Sequence, residues 1–164
     1  RFVLITGHRR ENFGQGFLQI CEALRSLAHS FPEAHFVYPV HLNPAVQQPV
    51  FDLLQDLPNV HLLPALEYEP FLLLLNRSYF VLTDSGGIQK ETYFYRKKCF
   101  VLRKETEWSE LIKVNCVKLI SNNILTIEKS SKFLNSRLII KQIFGNGNST
   151  LKIAKLIKKI LKIL

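Results

Sequence analysis

The strongest constraint on the fold is the alternation of short apolar runs with amphipathic helical segments. Six short runs are rich in β-branched and aromatic side chains, which favours buried strands over helices. They are Phe2–Thr6, His35–Val40, Val60–Leu63, Tyr79–Thr83, Cys99–Leu102 and Cys116–Ile120. Between them apolar residues recur at helical spacing, as at Phe17, Cys21 and Leu24. This alternation predicts an α/β fold with a parallel sheet and helices on both faces.

The segment after the fourth predicted strand carries the strongest local signal of a binding site. The strand ends at Thr83, Gly86 and Gly87 follow, and a helical segment begins. Parallel sheets bind ligands beyond the C-terminal ends of their strands, and free amides at a helix start attract phosphate. Glu91 lies one turn into this helix, where a carboxylate can accept hydrogen bonds from a ribose diol. The same pattern also fits a simple capped turn, and both interpretations stay open.

Polar residues also follow the first two predicted strands. Arg9 and Arg10 stand beside His8 after the first strand, and His41 follows the second. Two adjacent arginines at the ligand edge of a sheet favour an anion-binding role. The Gly-Gln-Gly that follows them is a weak dinucleotide fingerprint because its third glycine is missing. The histidine spacing matches no metal-ligand pattern, so we predict no metal site.

The segment after the fifth predicted strand combines Arg103 and several acids with Trp108, the single tryptophan. Its simplest interpretation is a helix start, with acids near the positive end of the helix dipole and Trp108 packed on the core. Its position at the ligand edge of the sheet makes a binding role the alternative.

The charge is divided unevenly along the chain. All 14 lysines lie at or after Lys90, so residues 90–164 carry a net charge of +12 and residues 1–89 a net charge of −3. A basic region can attract polyanions. Most of these lysines, however, fall at polar positions of predicted helices, and no basic strand carries interleaved aromatic residues. We expect solvated helix faces and no nucleic-acid partner, with a polynucleotide-binding module as the alternative.

The three cysteines are far apart and form no CxxC pair. Cys21 falls on a predicted helix, and Cys99 and Cys116 fall in strand-like runs. We predict buried, reduced thiols in a cytoplasmic protein. The apolar runs are too short to cross a bilayer, so we expect no membrane partner.

The C-terminal part of the chain has a weaker pattern. We predict a helix over residues 124–144, a loop over residues 145–148, and a last helix that is capped by Ser149 and runs to Leu164. That helix has an apolar stripe and a lysine-rich face. The 164-residue chain contains no methionine and begins at Arg1, which leads us to expect part of a longer protein.

Together these segments resemble the UDP-N-acetylglucosamine 2-epimerases, specifically the C-terminal half of the bacterial non-hydrolysing type. They follow the order of that family and cover residues 1 to about 150. The matching segments are Thr6–Gly14 (TGHRRENFG), Tyr38–Pro44 (YPVHLNP), Asp84–Glu91 (DSGGIQKE), Lys97–Cys99 with Val101–Arg103, Glu105–Trp108 (ETEW) and Gly145–Gly147 (GNG).

The resemblance implies the fold of the C-terminal domain of a GT-B type enzyme. Residues 1–144 would be a Rossmann-like UDP-binding domain and residues 145–164 a crossover helix, with the N-terminal domain of the family absent from this chain. The parent would interconvert UDP-GlcNAc and UDP-ManNAc by eliminating UDP and adding it back, without a metal or a nicotinamide cofactor. It would be a homodimer. The isolated chain would be inactive, because carboxylates of the missing domain take part in the chemistry.

The resemblance also implies roles for individual residues. The UDP contacts would be Ser85, Gly86 and Gly87 at the diphosphate, Glu91 at the ribose, Leu66 and Phe71 at the base, and Arg103. His8 would be the catalytic residue that reaches the reacting sugar. Arg9 and His41 would contact a second, allosteric UDP-sugar.

Some residues depart from the pattern of that family. Trp108 stands where many members have an arginine, and residues 93–98 lack the usual glycine and proline. Two alternatives stay open: a degenerate or split fragment that only binds a nucleotide sugar, and another GT-B member such as a glycosyltransferase. The HRREN and VHLNP motifs argue against a glycosyltransferase.

Overall fold

The computed structural model describes residues 1–7, 9–121, 127, 129–141 and 143–161, without the side chains of Glu11 and Ser131. Within these residues, six parallel strands form one sheet in the order β3-β2-β1-β4-β5-β6. The strands are β1 (Phe2–Thr6), β2 (His35–Pro39), β3 (Val60–Leu63), β4 (Phe80–Thr83), β5 (Lys98–Val101) and β6 (Val117–Leu119). Every predicted strand is confirmed to within one residue at each end.

Helices connect the strands and cover both faces of the sheet. They are α1 (Gln15–Ser30), α2 (Pro44–Leu54), α3 (Tyr68–Arg77), α4 (Gly86–Phe94), α5 (Ser109–Lys113), α6 (Ser131–Asn135) and α7 (Ser149–Leu161), with a 3-10 turn at Arg10–Asn12. The predicted Rossmann-like α/β fold is confirmed. The strand order reverses between β1 and β4, and such a switch point opens a crevice for ligands.

Alternate residues of the central strands enter two separate cores, one on each face of the sheet. In β1, Val3 and Ile5 belong to the core under α1 and α2, whereas Leu4 belongs to the core under α3, α4 and α5. In β4, Leu82 and Val81 divide in the same way. Because successive side chains of a strand point to opposite faces, a strand covered on both sides has a continuous apolar sequence.

The predicted helix over residues 124–144 is wrong for much of its length. The helix α6 has five residues, and residues 136–141 are not helical. The amide of Ile139 donates to the carbonyl of Val114 at 3.0 Å, and the amide of Lys141 donates to the Tyr93 hydroxyl at 2.7 Å. These contacts tie the segment to distant parts of the chain and use amides that a helix would need. Residues 122–126, 128 and 142 lie outside the described residues.

The last helix, α7, begins at Ser149, which was predicted to be its N-cap, and the amide of Lys152 donates to the carbonyl of Asn148. Its predicted end at Leu164 lies outside the described residues. None of its described residues is buried, and Ile153 and Ile157 are 58% and 49% exposed. The apolar stripe of α7 therefore faces solvent. Among the residues that the structure describes, no helix has both the length and the apolar character needed to cross a membrane.

Lys98 departs from the expectation that the lysines form solvated helix faces. It lies in β5 and is 9% exposed, and its Nζ donates to Ser136 Oγ at 2.9 Å and to the Asn115 carbonyl. It also lies 4.6 Å above the Phe133 ring, and burial lowers its pKa. Cys21, Cys99 and Cys116 are all buried and form no disulfide, which confirms the predicted burial of the three thiols.

Candidate functional site

The segments after β1, β2, β3 and β4 lie at the C-terminal edge of the sheet, where the sequence predicts the site. A pocket of about 210 Å³ opens between them. Its walls are formed by Thr6, Gly7, Pro39, His41, Ala65, Leu66, Phe71, Ser85 and Ile88. Four predicted site residues therefore line one pocket: Leu66, Phe71 and Ser85, assigned to UDP, and His41, assigned to an allosteric ligand. Apolar side chains dominate one wall, as in a site for a planar ring.

The start of α4 offers backbone amides for an anion. Ser85 is the N-cap residue, yet its side chain accepts no hydrogen bond from the helix. The first amides of a helix have no partner within the helix, and the positive end of its dipole adds to their attraction for negative charge. A Cβ atom built on Gly87 would meet only Ser85 Oγ, at 3.9 Å. The amide end of α4 is therefore open at Gly87.

The carboxylate of Glu91 has one satisfied and one unsatisfied oxygen. Its Oε1 accepts a hydrogen bond from the Tyr68 hydroxyl at 3.1 Å. Its Oε2 is buried and has no hydrogen-bond partner within the described part of the chain. A buried carboxylate oxygen without a donor is costly, so this atom suits a ligand hydroxyl. Glu91 lies one helical turn beyond Gly87 on α4, next to the open amides.

A buried carboxylate joins the loop after β1 to the turn after β4. Asp84 is fully buried, and its Oδ2 accepts hydrogen bonds from the Arg9 amide at 2.9 Å and from Asn12 Nδ2 at 3.0 Å. The sequence interpretation gives Asp84 no role of its own. The sequence does place this charged residue directly after an apolar strand. A carboxylate that is buried at such a position must be hydrogen-bonded, so Asp84 could have been predicted to link two segments.

A second buried group, Gln89, ties α4 to the segment after β5. The Thr106 hydroxyl donates to Gln89 Oε1 at 2.6 Å, and Gln89 Nε2 donates to the Ser85 carbonyl at 3.2 Å. The segment is therefore fixed against the first turn of α4. Sequence reasoning missed Gln89, because only the folded chain places its amide group opposite Thr106.

Two arginines and one glutamate form a charged cluster beside Gly86. Arg103 Nη1 lies 3.1 and 3.0 Å from the two carboxylate oxygens of Glu107, and Arg9 Nη2 lies 3.4 Å from Oε1. The backbone amide of Glu107, followed by the Arg103 guanidinium, lowers the pKa of this carboxyl. A Cβ on Gly86 would lie 3.3 Å from Arg9 Nη2 and 3.4 Å from the Glu107 carboxylate. A side chain at position 86 would therefore displace the ends of the Arg9 and Glu107 side chains by a few tenths of an ångström.

Three more residues singled out in the sequence are His41, Trp108 and His8. His41 is exposed, and its Nδ1 accepts a hydrogen bond from the Asn43 amide at 3.1 Å. Trp108 packs on the Phe144 ring, and Lys90 Nζ lies 4.5 Å above its indole. This confirms the interpretation of Trp108 as a packing residue at a helix start. His8 lies outside the described residues.

A larger cavity, about 730 Å³, lies at the opposite end of the sheet. Its lining is mostly apolar, includes Phe2, Phe31 and Phe80, and contains none of the predicted site residues. The pocket at the C-terminal edge therefore stays the candidate functional site. In the described portion of the chain, no group of three or more His, Cys, Asp or Glu side chains could hold a metal ion.

Comparison with models of known protein families shows the family of this chain. The family model described as UDP-N-acetylglucosamine 2-epimerase matches residues 1–158. The chain belongs to the UDP-N-acetylglucosamine 2-epimerase family. The UDP-N-acetylglucosamine 2-epimerase of Campylobacter jejuni is 44% identical over 168 residues, which cover 97% of this chain and 43% of that protein.

Solved epimerase structures have the same fold. The UDP-GlcNAc 2-epimerase of Neisseria meningitidis bound to UDP-GlcNAc is 37% identical and superposes with a TM-score of 0.87, covering 97% of this chain and 45% of that chain. The enzyme of Methanocaldococcus jannaschii in complex with UDP-GlcNAc and UDP is 26% identical, with a TM-score of 0.84 over 96% of this chain and 45% of that chain. This epimerase-family chain thus spans less than half the length of these relatives.

Proposed function

We propose that this chain is the UDP-binding part of a UDP-N-acetylglucosamine 2-epimerase that interconverts UDP-GlcNAc and UDP-ManNAc. One observation carries the proposal: three different binding groups meet at one edge of the sheet. They are the open amides at Gly87, the unpaired buried Oε2 of Glu91 and the pocket wall formed by Leu66 and Phe71. These groups suit the diphosphate, the ribose diol and the flat base of UDP.

In the proposed reaction the sugar loses UDP and then regains it. A base removes the proton from C2 while the C1–O bond breaks, and UDP leaves with the electron pair of that bond. UDP then returns to C1 and a proton returns to the opposite face of C2, which inverts that centre. Negative charge grows on the diphosphate as the C1–O bond breaks. Preorganised amides at Gly86 and Gly87 would stabilise that charge. Ser85 would contribute its hydroxyl, because its amide already donates to Thr83 Oγ1 at 2.9 Å.

The proposed reaction needs acid–base groups from this chain and from the rest of the proposed enzyme. His8 is proposed to reach the reacting sugar. The N-terminal halves present in the relatives would supply the other groups, and the isolated chain is therefore proposed to be inactive. We also propose a homodimeric full-length parent in the cytoplasm, where the three free thiols would stay reduced.

Calorimetry with UDP and uridine tests the binding step. We expect the chain to bind UDP more tightly than uridine, because only UDP reaches the amides at the start of α4. Affinity is expected to be weak, since only part of the cleft is present. Equal affinities, or no measurable binding of either ligand, would overturn the proposal.

Proton NMR of UDP-GlcNAc with the purified chain tests the chemistry. We expect no UDP-ManNAc from the isolated chain and turnover after addition of the N-terminal half of a related epimerase. In the complemented enzyme, His8→Ala is expected to lower the rate by about 10²–10⁴-fold. The second candidate is a fragment that only binds a nucleotide sugar, and it is favoured by the observation that the chain covers 43% of its Campylobacter jejuni relative. UDP binding without turnover in the complemented enzyme would support this second candidate.

A further inference from the structure

Two histidines from neighbouring strands meet at one side of the sheet. His35 is the first residue of β2, and His61 lies in β3, which is the edge strand. Nδ1 of His35 and Nε2 of His61 lie 3.0 Å apart, and the ring centres lie 5.2 Å apart. One of these nitrogens therefore donates a hydrogen bond to the lone pair of the other. Both residues are exposed, so the pair is open to solutes.

The parallel register of β2 and β3 holds the two imidazoles together. Phe36 pairs with Val60, and both belong to the core under α1 and α2. Because successive side chains of a strand point to opposite faces, the neighbouring His35 and His61 share the other face. The two histidines are 26 positions apart in the sequence. Histidine spacing along the chain, on which no metal site is predicted, therefore does not reveal this pair.

We propose that His35 and His61 form a binding site for a divalent transition-metal ion of the class of Zn²⁺ or Ni²⁺. Imidazole nitrogen is a common ligand of these ions. A tetrahedral ion with metal–nitrogen bonds of about 2.0–2.1 Å keeps two nitrogens about 3.3 Å apart. The observed separation of 3.0 Å is close to that value, so a small rotation of the rings would admit the ion.

Metal binding changes the protonation of the pair in a defined way. Both facing nitrogens must offer their lone pairs to the ion, since a histidine ligand is neutral and binds through an unprotonated nitrogen. The ring that donates the present hydrogen bond therefore carries its proton on its other nitrogen when the ion is bound. The ion takes the place of the shared proton.

The pair would supply only part of the coordination of the ion. In the described ranges no third His, Cys, Asp or Glu joins the two histidines, so water would complete the coordination. Structural zinc sites have four protein ligands, and we expect this site to bind its ion weakly and reversibly. An ion that binds only the folded chain stabilises it. Here the ion would join the edge strand β3 to β2.

This site is separate from the candidate nucleotide pocket. His35 begins β2, whereas the pocket lies beyond the other end of that strand, at Pro39 and His41. The inference therefore does not depend on the proposed function.

Calorimetry of the full chain with ZnCl₂ and with NiCl₂, in a buffer without chelators, tests the site. We expect the parent chain to bind either ion, and His35→Gln and His61→Gln each to lose measurable binding. The matched control is His29→Gln, which removes an exposed histidine of α1 and is expected to bind both ions as the parent does. Thermal unfolding of each variant without metal checks that the fold is retained.

NMR of the imidazole nitrogens locates the bound ion in the unaltered chain. On addition of ZnCl₂, the signals of His35 and His61 are expected to shift, and those of His29 are expected to stay in place. This measurement also keeps the proposal testable if a variant fails to fold.

The possible results separate cleanly. Loss of binding in both pair variants but not in the control, together with shifts at His35 and His61, would support the site. Absence of binding by the parent chain, retained binding in both pair variants, or zinc-induced shifts confined to other residues would each overturn it. Since no nucleotide is used, any of these failures would leave the proposed function intact.

Discussion

The carboxylate of Asp84 accepts a hydrogen bond from the backbone amide of Arg9 at 2.9 Å, between residues 75 positions apart in the sequence. The same oxygen accepts from Asn12 Nδ2 at 3.0 Å. One buried charge thus fixes the loop after β1 against the turn that precedes α4. The position of Arg9 beside the proposed diphosphate site depends on this link.

Replacing Asp84 by alanine is expected to destabilise the chain by about 2–3 kcal/mol, because two partly buried donors lose a buried, charged acceptor. Urea unfolding gives the free-energy change, and hydrogen exchange is expected to show faster exchange over residues 9–14. The control is Asp52→Ala, which removes an exposed carboxylate bonded to Gln48 within α2 and is expected to cost less than about 0.5 kcal/mol. Equal costs for the two variants would contradict the assigned link.

Replacing Glu91 by alanine is expected to weaken UDP binding by about 1–3 kcal/mol, because the ribose hydroxyls lose their acceptor. Calorimetry with UDP and with 2′,3′-dideoxy-UDP isolates this contact, and the dideoxy ligand is expected to bind the parent and the variant equally. The control is Tyr68→Phe, which removes the other hydroxyl near Glu91 and is expected to retain UDP binding. An equal loss for both ligands would assign Glu91 a purely structural role.

The buried thiols are expected to make the chain less stable at alkaline pH. Burial raises the pKa of Cys21 to about 12 and that of Cys116 to about 11, from an ordinary value of 9.0. Below pH 9.0 both thiols are protonated in the folded and the unfolded chain. Above it the unfolded chain loses protons first, so its ionisation favours unfolding. Stability is therefore expected to fall by about 1.4 kcal/mol per pH unit for each thiol until the folded pKa is reached.

Urea unfolding at several pH values between 9 and 11 measures this slope. The variant Cys21→Ala is expected to have a slope smaller by about 1.4 kcal/mol per pH unit, since one titrating group is removed. An unchanged slope in that variant would show that Cys21 ionises equally in both states.

Replacing Arg96 by glycine is expected to stabilise the chain by about 0.5–1 kcal/mol. Arg96 has a φ of +56°, a left-handed conformation that is costly for residues with a Cβ and accessible to glycine. Thermal unfolding measures the gain. Asn115, with a φ of +57°, provides the control, because asparagine tolerates this conformation better and Asn115→Gly is expected to gain less. A loss of stability in Arg96→Gly would mean that side-chain contacts outweigh the backbone strain.

The exposed apolar stripe of α7 is expected to make the chain associate with itself, because large exposed apolar patches favour association. Light scattering of the chain with Ile153 and Ile157 both replaced by Gln is expected to detect less association than in the parent chain. The control replaces Lys155 and Lys158 by Gln on the lysine-rich face and is expected to associate at least as strongly as the parent. A monomeric parent chain would contradict the expectation.

The sequence by itself determined the α/β class, the six strands and the edge of the sheet at which the candidate site lies. These properties depend on local patterns: a strand buried on both faces needs a continuous apolar run, and a parallel sheet places its loops at the C-terminal edge. Gly86, Gly87 and Glu91 could be predicted as site residues from the sequence, because they lie within about one turn of the same helix.

The tertiary structure decided the contacts between segments far apart in the sequence. The approach of Arg9 to Glu107, the link from Asp84 to the loop after β1 and the bond from Thr106 to Gln89 each join two segments that only the folded sheet brings together. The extended course of residues 136–141 has the same cause. Its amides bond to Val114 and Tyr93, and such long-range hydrogen bonds override a local helical pattern.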